Sequence, residues 1–110
     1  RQFEERLRQI ENLDREAASQ KYLAVPAFVS LSLGSAYFHA GNLAEAEKAY
    51  LETVATDSKI GEAYNNLAVV YMETGRYAEA EQAVKDAENT GMRVPQALKD
   101  EIRKRKGGTS

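Results

Sequence analysis

Few residues in this chain are of types that perform covalent chemistry, and their spacing argues against it. There is no cysteine, which removes disulfides, thiolate metal ligands and sulfur nucleophiles together. His39 is the single histidine. Without cysteine or a second imidazole it cannot build a usual zinc site, so it reads as a surface contact or a solvated helix-end residue. Glu45/Glu47 and Glu79/Glu81 look like the paired carboxylates of acid–base catalysis. Residues two apart on a helix, however, do not face each other. Both pairs fall near expected helix starts, where negative charge suits the helix dipole, so their reading is structural. Arg103-Lys104-Arg105-Lys106 is a short basic run that could touch phosphate. No aromatic residues interleave with it, and cations are favoured at a helix C-terminus. There is no phosphate-cradling glycine loop, activated serine motif or metal box. The expectation is a non-enzyme with no cofactor, no metal and no nucleic-acid partner.

Composition sets the frame for the elements around these residues. A chain of 110 residues suits one small domain. Apolar residues at 43 % allow a modest core, and charged residues at 29 % suit well-solvated helix faces. A net charge of −2 is too small to drive binding to nucleic acid or membrane by electrostatics alone. No apolar run approaches the roughly 20 residues of a membrane span, and no signal-peptide pattern opens the chain. A soluble protein is expected, with the compartment left open and the cytoplasm slightly favoured. Arg1 in place of methionine suggests a piece of a longer or processed protein.

The strongest feature is an internal repeat. Ala36 to Tyr50 (AYFHAGNLAEAEKAY) aligns with Val70 to Val84 (VYMETGRYAEAEQAV) at an offset of 34 residues. Leu33 pairs with Leu67, Tyr37 with Tyr71, Gly41 with Gly75, and Ala46 with Ala80; Ala44-Glu45-Ala46-Glu47 recurs letter for letter. Each unit reads as two antiparallel helices. In the first unit, Pro26 suits the first turn of a helix running to about Ala40. Leu33, Ala36, Tyr37 and Ala40 form its stripe at three- and four-residue spacing. Gly41 then ends the helix in a left-handed C′ position. Asn42, with Glu45 three residues on, is close to a capping box. Leu43, Ala46, Ala49, Tyr50 and Val54 make the second inner face. In the second unit, Ile60, Tyr64, Leu67, Ala68 and Tyr71 are followed by Gly75, then by Tyr77, Ala80, Ala83, Val84 and Ala87. Arg76 stands where Asn42 stood, so a weaker turn is expected. Gly34, Ala46, Ala68 and Ala80 are expected to let neighbouring units approach closely, with tyrosines filling the space around them.

At these residues the sequence resembles the tetratricopeptide repeat family. Leu33-Gly34, Tyr37, Gly41, Ala46 and Tyr50 match its pattern of small and large residues in one unit. Leu67-Ala68, Tyr71, Gly75, Ala80 and Val84 match it in the next. The sequence departs from the family where a tryptophan often stands, at Ser30 and Tyr64, and at the unit-closing proline, which is Ser58. The resemblance implies an all-α fold: a short right-handed α-solenoid of antiparallel helix pairs, about six helices in all. The expected organisation is an amphipathic N-terminal helix over 1–22, with Phe3, Leu7, Ile10, Leu13 and Ala17 on one side. Units at 27–60 and 61–94 follow, then a closing helix over 95–106 with Leu98 and Ile102 facing inward and Ala97 placed to join them. Residues 107–110 read as a disordered tail or an appended remnant. The leading helix could cap the first unit, be the remnant of a preceding unit, or pair with another chain.

The resemblance also implies where a partner would bind, namely the concave face lined by the first helix of each unit. Residues not spent on core stripes would point there: Phe28, Leu31, Ser35, Phe38 and His39, then Glu62, Asn65, Val69, Met72 and Glu73. Gln96, Lys99 and Arg103 of the closing helix would reach the same groove. Phe28, Leu31, Phe38 and Met72 would supply apolar anchors, and Asn65, Glu73, Lys99 and Arg103 orientation. Some members of the family clamp a terminal carboxylate with lysine, arginine and asparagine. Here only Asn66 matches; Leu31, Ser35, Gln96 and Asp100 occupy the other positions. The expected function is protein–protein interaction, with a peptide or helix held in the groove. The alternatives are self-assembly into a homo-oligomer and a non-catalytic regulatory segment of a larger protein.

Overall fold

A computed structural model describes residues 25–108, preceded by positions 2, 4–6 and 8–9, which are helical. Five helices follow in order: α1 (Ala27–His39), α2 (Leu43–Thr56), α3 (Gly61–Glu73), α4 (Tyr77–Asn89) and α5 (Gln96–Lys106). There is no strand among the described residues. The inner-face residues expected of a leading helix (Phe3, Leu7, Ile10, Leu13 and Ala17) lie outside the described residues, as does the end of the tail. α1 packs along α2 and α3 along α4, forming two hairpins. α2 stacks on α3, α5 closes on α4, and α3 touches both α1 and α5. The result is an all-helical solenoid.

The turns explain why the chain folds back where it does. Gly41 and Gly75 adopt φ of 81° and 78°, a left-handed conformation open to glycine without a Cβ penalty. After each glycine the next N–H returns to a carbonyl five residues back: Asn42 to Tyr37 at 2.9 Å and Arg76 to Tyr71 at 2.8 Å. Asn42 makes no side-chain cap bond, contrary to the capping-box expectation. Its backbone angles nearly equal those of Arg76 (φ −92°, ψ 76° against φ −98°, ψ 74°), so the glycine, not the cap residue, sets the turn. Nor does Arg76 mark a weak point. Its guanidinium grips Glu47 of α2 through two nitrogens and lies 4.8 Å above the Tyr71 ring. It therefore ties the two units together. Pro26 and Pro95 sit at the N-caps of α1 and α5, and their carbonyls accept N–H bonds from Val29 (2.9 Å) and Leu98 (3.1 Å).

The core runs through the second hairpin and its two neighbours. Ala46, Tyr50, Leu67, Ala68, Val70, Met72, Ala80, Ala83, Val84, Ala87, Val94 and Ile102 are buried together. Leu98 packs on this cluster, while Ala97 is exposed. The expected α1 stripe departs from this pattern. Leu33 is 46 % exposed although its repeat partner Leu67 is 2 % exposed, and Ala36 and Ala40 are exposed too. The cause is position in the stack: α2 covers that face of α3, and no described helix stands in the same relation to α1. Gly34 also differs from expectation, because it serves contact within a unit. A Cβ there would lie 2.6 Å from two ring carbons of Tyr50, the largest fully buried side chain.

Candidate interaction surface

α1 and α3 lie side by side, so the residues each turns away from its own hairpin partner form one continuous face. Successive residues on an α-helix are about 100° apart, and this separates the expected groove residues into groups. Phe28, Ser35 and His39 share one side of α1; Glu62, Val69 and Glu73 share the matching side of α3. Phe28 is 67 % exposed, the most open large apolar side chain described. His39 is exposed and stands edge-on to Phe38, with ring centroids 5.9 Å apart. Ser35 is half-buried, and its hydroxyl pairs with the Tyr50 hydroxyl at 3.1 Å.

Between the two helices Phe38, Tyr50, Asn66 and Val69 line a crevice of about 60 Å³. Its walls are aromatic and aliphatic, with one amide at the edge. Leu31 and Phe38 are half-buried against the core, so part of each is already engaged. Asn66, not its neighbour Asn65, reaches this crevice. It precedes Val69 by three residues, a spacing that puts both on one side of the helix.

Two expected groove residues on α3 lie elsewhere. Met72 is 7 % exposed and belongs to the core, because α5 and the segment around Val94 close over that side of α3. Asn65, seven residues earlier, shares its side. The Asn65 Oδ1 is buried and accepts no hydrogen bond. Glu73 is exposed but already paired: Arg105 binds it at 2.8 Å and Glu101 at 2.8 Å. These bonds raise the Arg105 pKa. The Arg105 hydrogen bond, reinforced by its positive charge, lowers that of the Glu101 carboxyl. Arg105 thus links α5 to α3; the sequence marks it only as part of a basic run, and Glu101 not at all.

Lys99 and Arg103 do not reach the groove. Leu98, Ile102 and Arg105 set the inward side of α5, and this rotates Lys99, Arg103 and Lys106 towards α4. Lys99 binds Glu88 and Lys106 binds Glu81, each at 2.7 Å, while Arg103 approaches Asp100 at 3.4 Å. Lys99 and Arg103 line a different cleft of about 290 Å³, with Glu81, Val84, Lys85, Glu88 and Ile102. The inter-unit junction carries its own charge cluster. The Glu47 bond is the main cause that raises the Arg76 pKa. The Tyr71 phenol is pushed up mainly by burial, and further by Glu47. Among the described residues no group of His, Asp or Glu is arranged to hold a metal ion. No described helix is long and apolar enough to cross a membrane.

Helix hairpins repeating every 34 residues, with an open face along their first helices, define a helical-repeat scaffold. A family model described as tetratricopeptide repeat matches residues 14–59 and again residues 31–92, most of the chain. The chain belongs to the tetratricopeptide repeat family, whose members as a class mediate protein–protein interaction. No curated protein and no solved structure gives a significant match to it.

Proposed function

We propose that this chain is a non-catalytic protein-binding module that holds a peptide or short amphipathic helix along the face shared by α1 and α3. The observation that carries this reading is the crevice formed by Phe38, Tyr50, Asn66 and Val69, with the exposed Phe28 at the other end of α1, roughly 15 Å along the helix. A preformed apolar recess takes one anchor, and exposed aromatic area further along the same helix offers an extended partner a second. A partner would place one aliphatic side chain in the crevice and lay further apolar surface on Phe28. The Asn66 amide would bond its backbone, and a basic residue would find Glu62. Because Glu73 is tied to Arg105, its carboxylate would contribute only where a partner displaced that pair.

The test is a peptide-display selection on the folded chain, followed by calorimetry of the selected peptide. Phe28→Ala and Val69→Glu should each weaken binding at least about tenfold, equivalent to about 1.4 kcal/mol, with helicity unchanged. Wild-type affinity in both variants refutes this face as the binding site. A second reading, self-assembly, is favoured by the exposed Val29 and Leu33 on another side of α1, with exposed Val25 just ahead of that helix.

A further inference from the structure

The packing of α4 on α5 arranges charged residues as three rungs across one cleft. The helices run antiparallel there, as two ion pairs show: Glu81 of α4 binds Lys106 of α5, and Glu88 binds Lys99, each at 2.7 Å. Lys85 falls between Glu81 and Glu88, and Arg103 between Lys99 and Lys106, at three- and four-residue spacing that keeps each set on one side of its helix. Glu81, Lys85, Glu88, Lys99 and Arg103 all line the cleft of about 290 Å³. The outer rungs join opposite charges. The middle rung carries an ammonium on one wall and a guanidinium on the other.

Nothing in the cleft neutralises that middle rung. Lys85 is exposed and has no ion pair among the described residues. Arg103 is exposed too, and its one carboxylate contact, Asp100 at 3.4 Å, comes from its own helix and does not line the cleft. Glu81 and Glu88 are already held by lysines. The cleft therefore has the net positive charge of Lys85 and Arg103, on a chain whose overall charge is −2. Like charges so placed work against folding, and a carboxylate between them would turn repulsion into charge-assisted hydrogen bonds. Val84 and Ile102, both buried, form an apolar floor under the same rung. The cleft is at the small end of the roughly 300–1,000 Å³ typical of small-molecule sites, a size for a few side chains. No aromatic residue lines it to stack a nucleic-acid base. We propose that the α4–α5 cleft docks a short acidic segment of a protein partner, with an aliphatic side chain on Val84 and Ile102 and flanking carboxylates on Lys85 and Arg103. No residue of α1 or α3 lines the cleft, so this site is separate from the face those helices share and stands independently of it.

The test titrates the nitrogen-15-labelled full chain with a short acetylated peptide in which two glutamates flank a leucine between glycine and serine. The amide signals of Val84, Lys85, Ile102 and Arg103 should move and saturate. Replacing the peptide's glutamates by glutamine should weaken binding about tenfold, and Lys85→Gln or Arg103→Gln in the protein about fivefold each. Phe28→Ala should leave the affinity unchanged. No movement of those four signals up to about 5 mM peptide overturns the proposal. So does equal affinity for the glutamine peptide. Inorganic phosphate or a short single-stranded oligonucleotide binding the cleft more tightly than the acidic peptide would assign it to another class of anion and also overturn the proposal. A second measurement needs no ligand. Lys85→Glu makes all three rungs opposite in charge, so it should raise Tm by about 2 °C at low salt while abolishing peptide binding. The gain should vanish in about 1 M salt. An unchanged or lower Tm at low salt refutes the like-charge rung on which the site rests.

Discussion

Gly34→Ala sets two opposite effects against each other, and the structure decides which wins. Alanine in a helix interior is favoured over glycine by about 1 kcal/mol, so helix propensity alone predicts a stabler protein. The new Cβ, however, would lie 2.6 Å from Cδ1 and Cε1 of Tyr50 and 3.1 Å from Cζ. These atoms are the middle of a rigid ring. Tyr50 is 1 % exposed, and its hydroxyl is bonded to Ser35 at 3.1 Å, so the ring has nowhere to swing. Overpacking of this kind costs about 1–3 kcal/mol, which outweighs the propensity gain and leaves a net loss of roughly 1 kcal/mol. The second unit suggests the remedy, since it carries Ala68 and Val84 where the first has Gly34 and Tyr50. Tyr50→Val alone should cost about 3 kcal/mol through the cavity it leaves. Gly34→Ala added to it should recover about 1 kcal/mol or more, because the clash has gone and the cavity is partly filled. Urea unfolding followed at 222 nm gives all four corners of the cycle. A single Gly34→Ala variant stabler than wild type refutes the close contact. So do effects that add within about 0.5 kcal/mol.

Arg76→Ala removes the link between α2 and α4, with a loss of about 1 kcal/mol once solvent screening of a partly exposed pair is allowed for. Arg76→Lys should restore only part of it, because ammonium cannot match the two-point grip on Glu47. Both deficits should shrink in 1 M salt, where screening acts within about 3 Å; equal stability at low and high salt refutes the electrostatic account. Gly75→Ala has no steric neighbour within 4 Å, so its cost of about 1 kcal/mol is purely that of φ 78°. A smaller loss in Gly75→Asn checks that origin. The Glu101 pKa is lower in the folded state than the ordinary 4.5. Its contribution is therefore present above that value and lost as pH falls through the depressed folded pKa. Glu101→Gln should lower stability at pH 7 and flatten the acid limb of the pH–stability curve below about pH 4.5, so that variant and wild type converge at low pH. The Tyr71 pKa is raised, so its contribution is present below its ordinary 10.0 and lost as pH rises through the folded pKa. Tyr71→Phe should flatten the alkaline limb, as seen by circular dichroism between pH 9 and 11.

The 34-residue identities carried much of the fold because the information they encode is local. Gly41 and Gly75 end helices through their own backbone freedom, and Ala46 and Ala80 are small wherever hairpins close. Contacts that depend on a distant partner did not follow from the pattern. Leu33 and Leu67 are the same residue at the same repeat position, yet only Leu67 has α2 across from it. Arg76 looked like a lost cap because its partner, Glu47, lies 29 residues away on the previous unit. The family resemblance puts Lys99 and Arg103 in the groove, but it does not fix how the closing helix turns. The rotation of α5 depends on how Leu98, Ile102 and Arg105 seat against α3 and α4, which a single helix cannot reveal. Met72 looked spare within its own unit and became core once α5 closed over it. In the groove, Asn66 stands out in the sequence only as an isolated clamp match, although its three-residue spacing from Val69 also puts it on the crevice side. Tyr50 could not, because it belongs to a second helix and would be expected to face only inward.

Tyr50 is also the reason the proposed site lies between α1 and α3. Glycine at position 34 lets a tyrosine occupy a place that a valine fills one unit later, and the longer side chain reaches through to the groove. Its hydroxyl meets Ser35, and its ring helps to line the crevice with Phe38, Asn66 and Val69. In the second unit Ala68 leaves less room and Val84 is too short to reach. The corresponding space is taken by Met72 below and by the Glu73–Arg105–Glu101 ion pairs at the surface. One small-to-large exchange inside the hairpins thus distinguishes two otherwise equivalent gaps, one open and apolar, the other filled and charged. On the proposed reading, a partner's apolar anchor would therefore choose the first gap, and Gly34→Ala/Tyr50→Val should weaken its capture even where the fold is recovered.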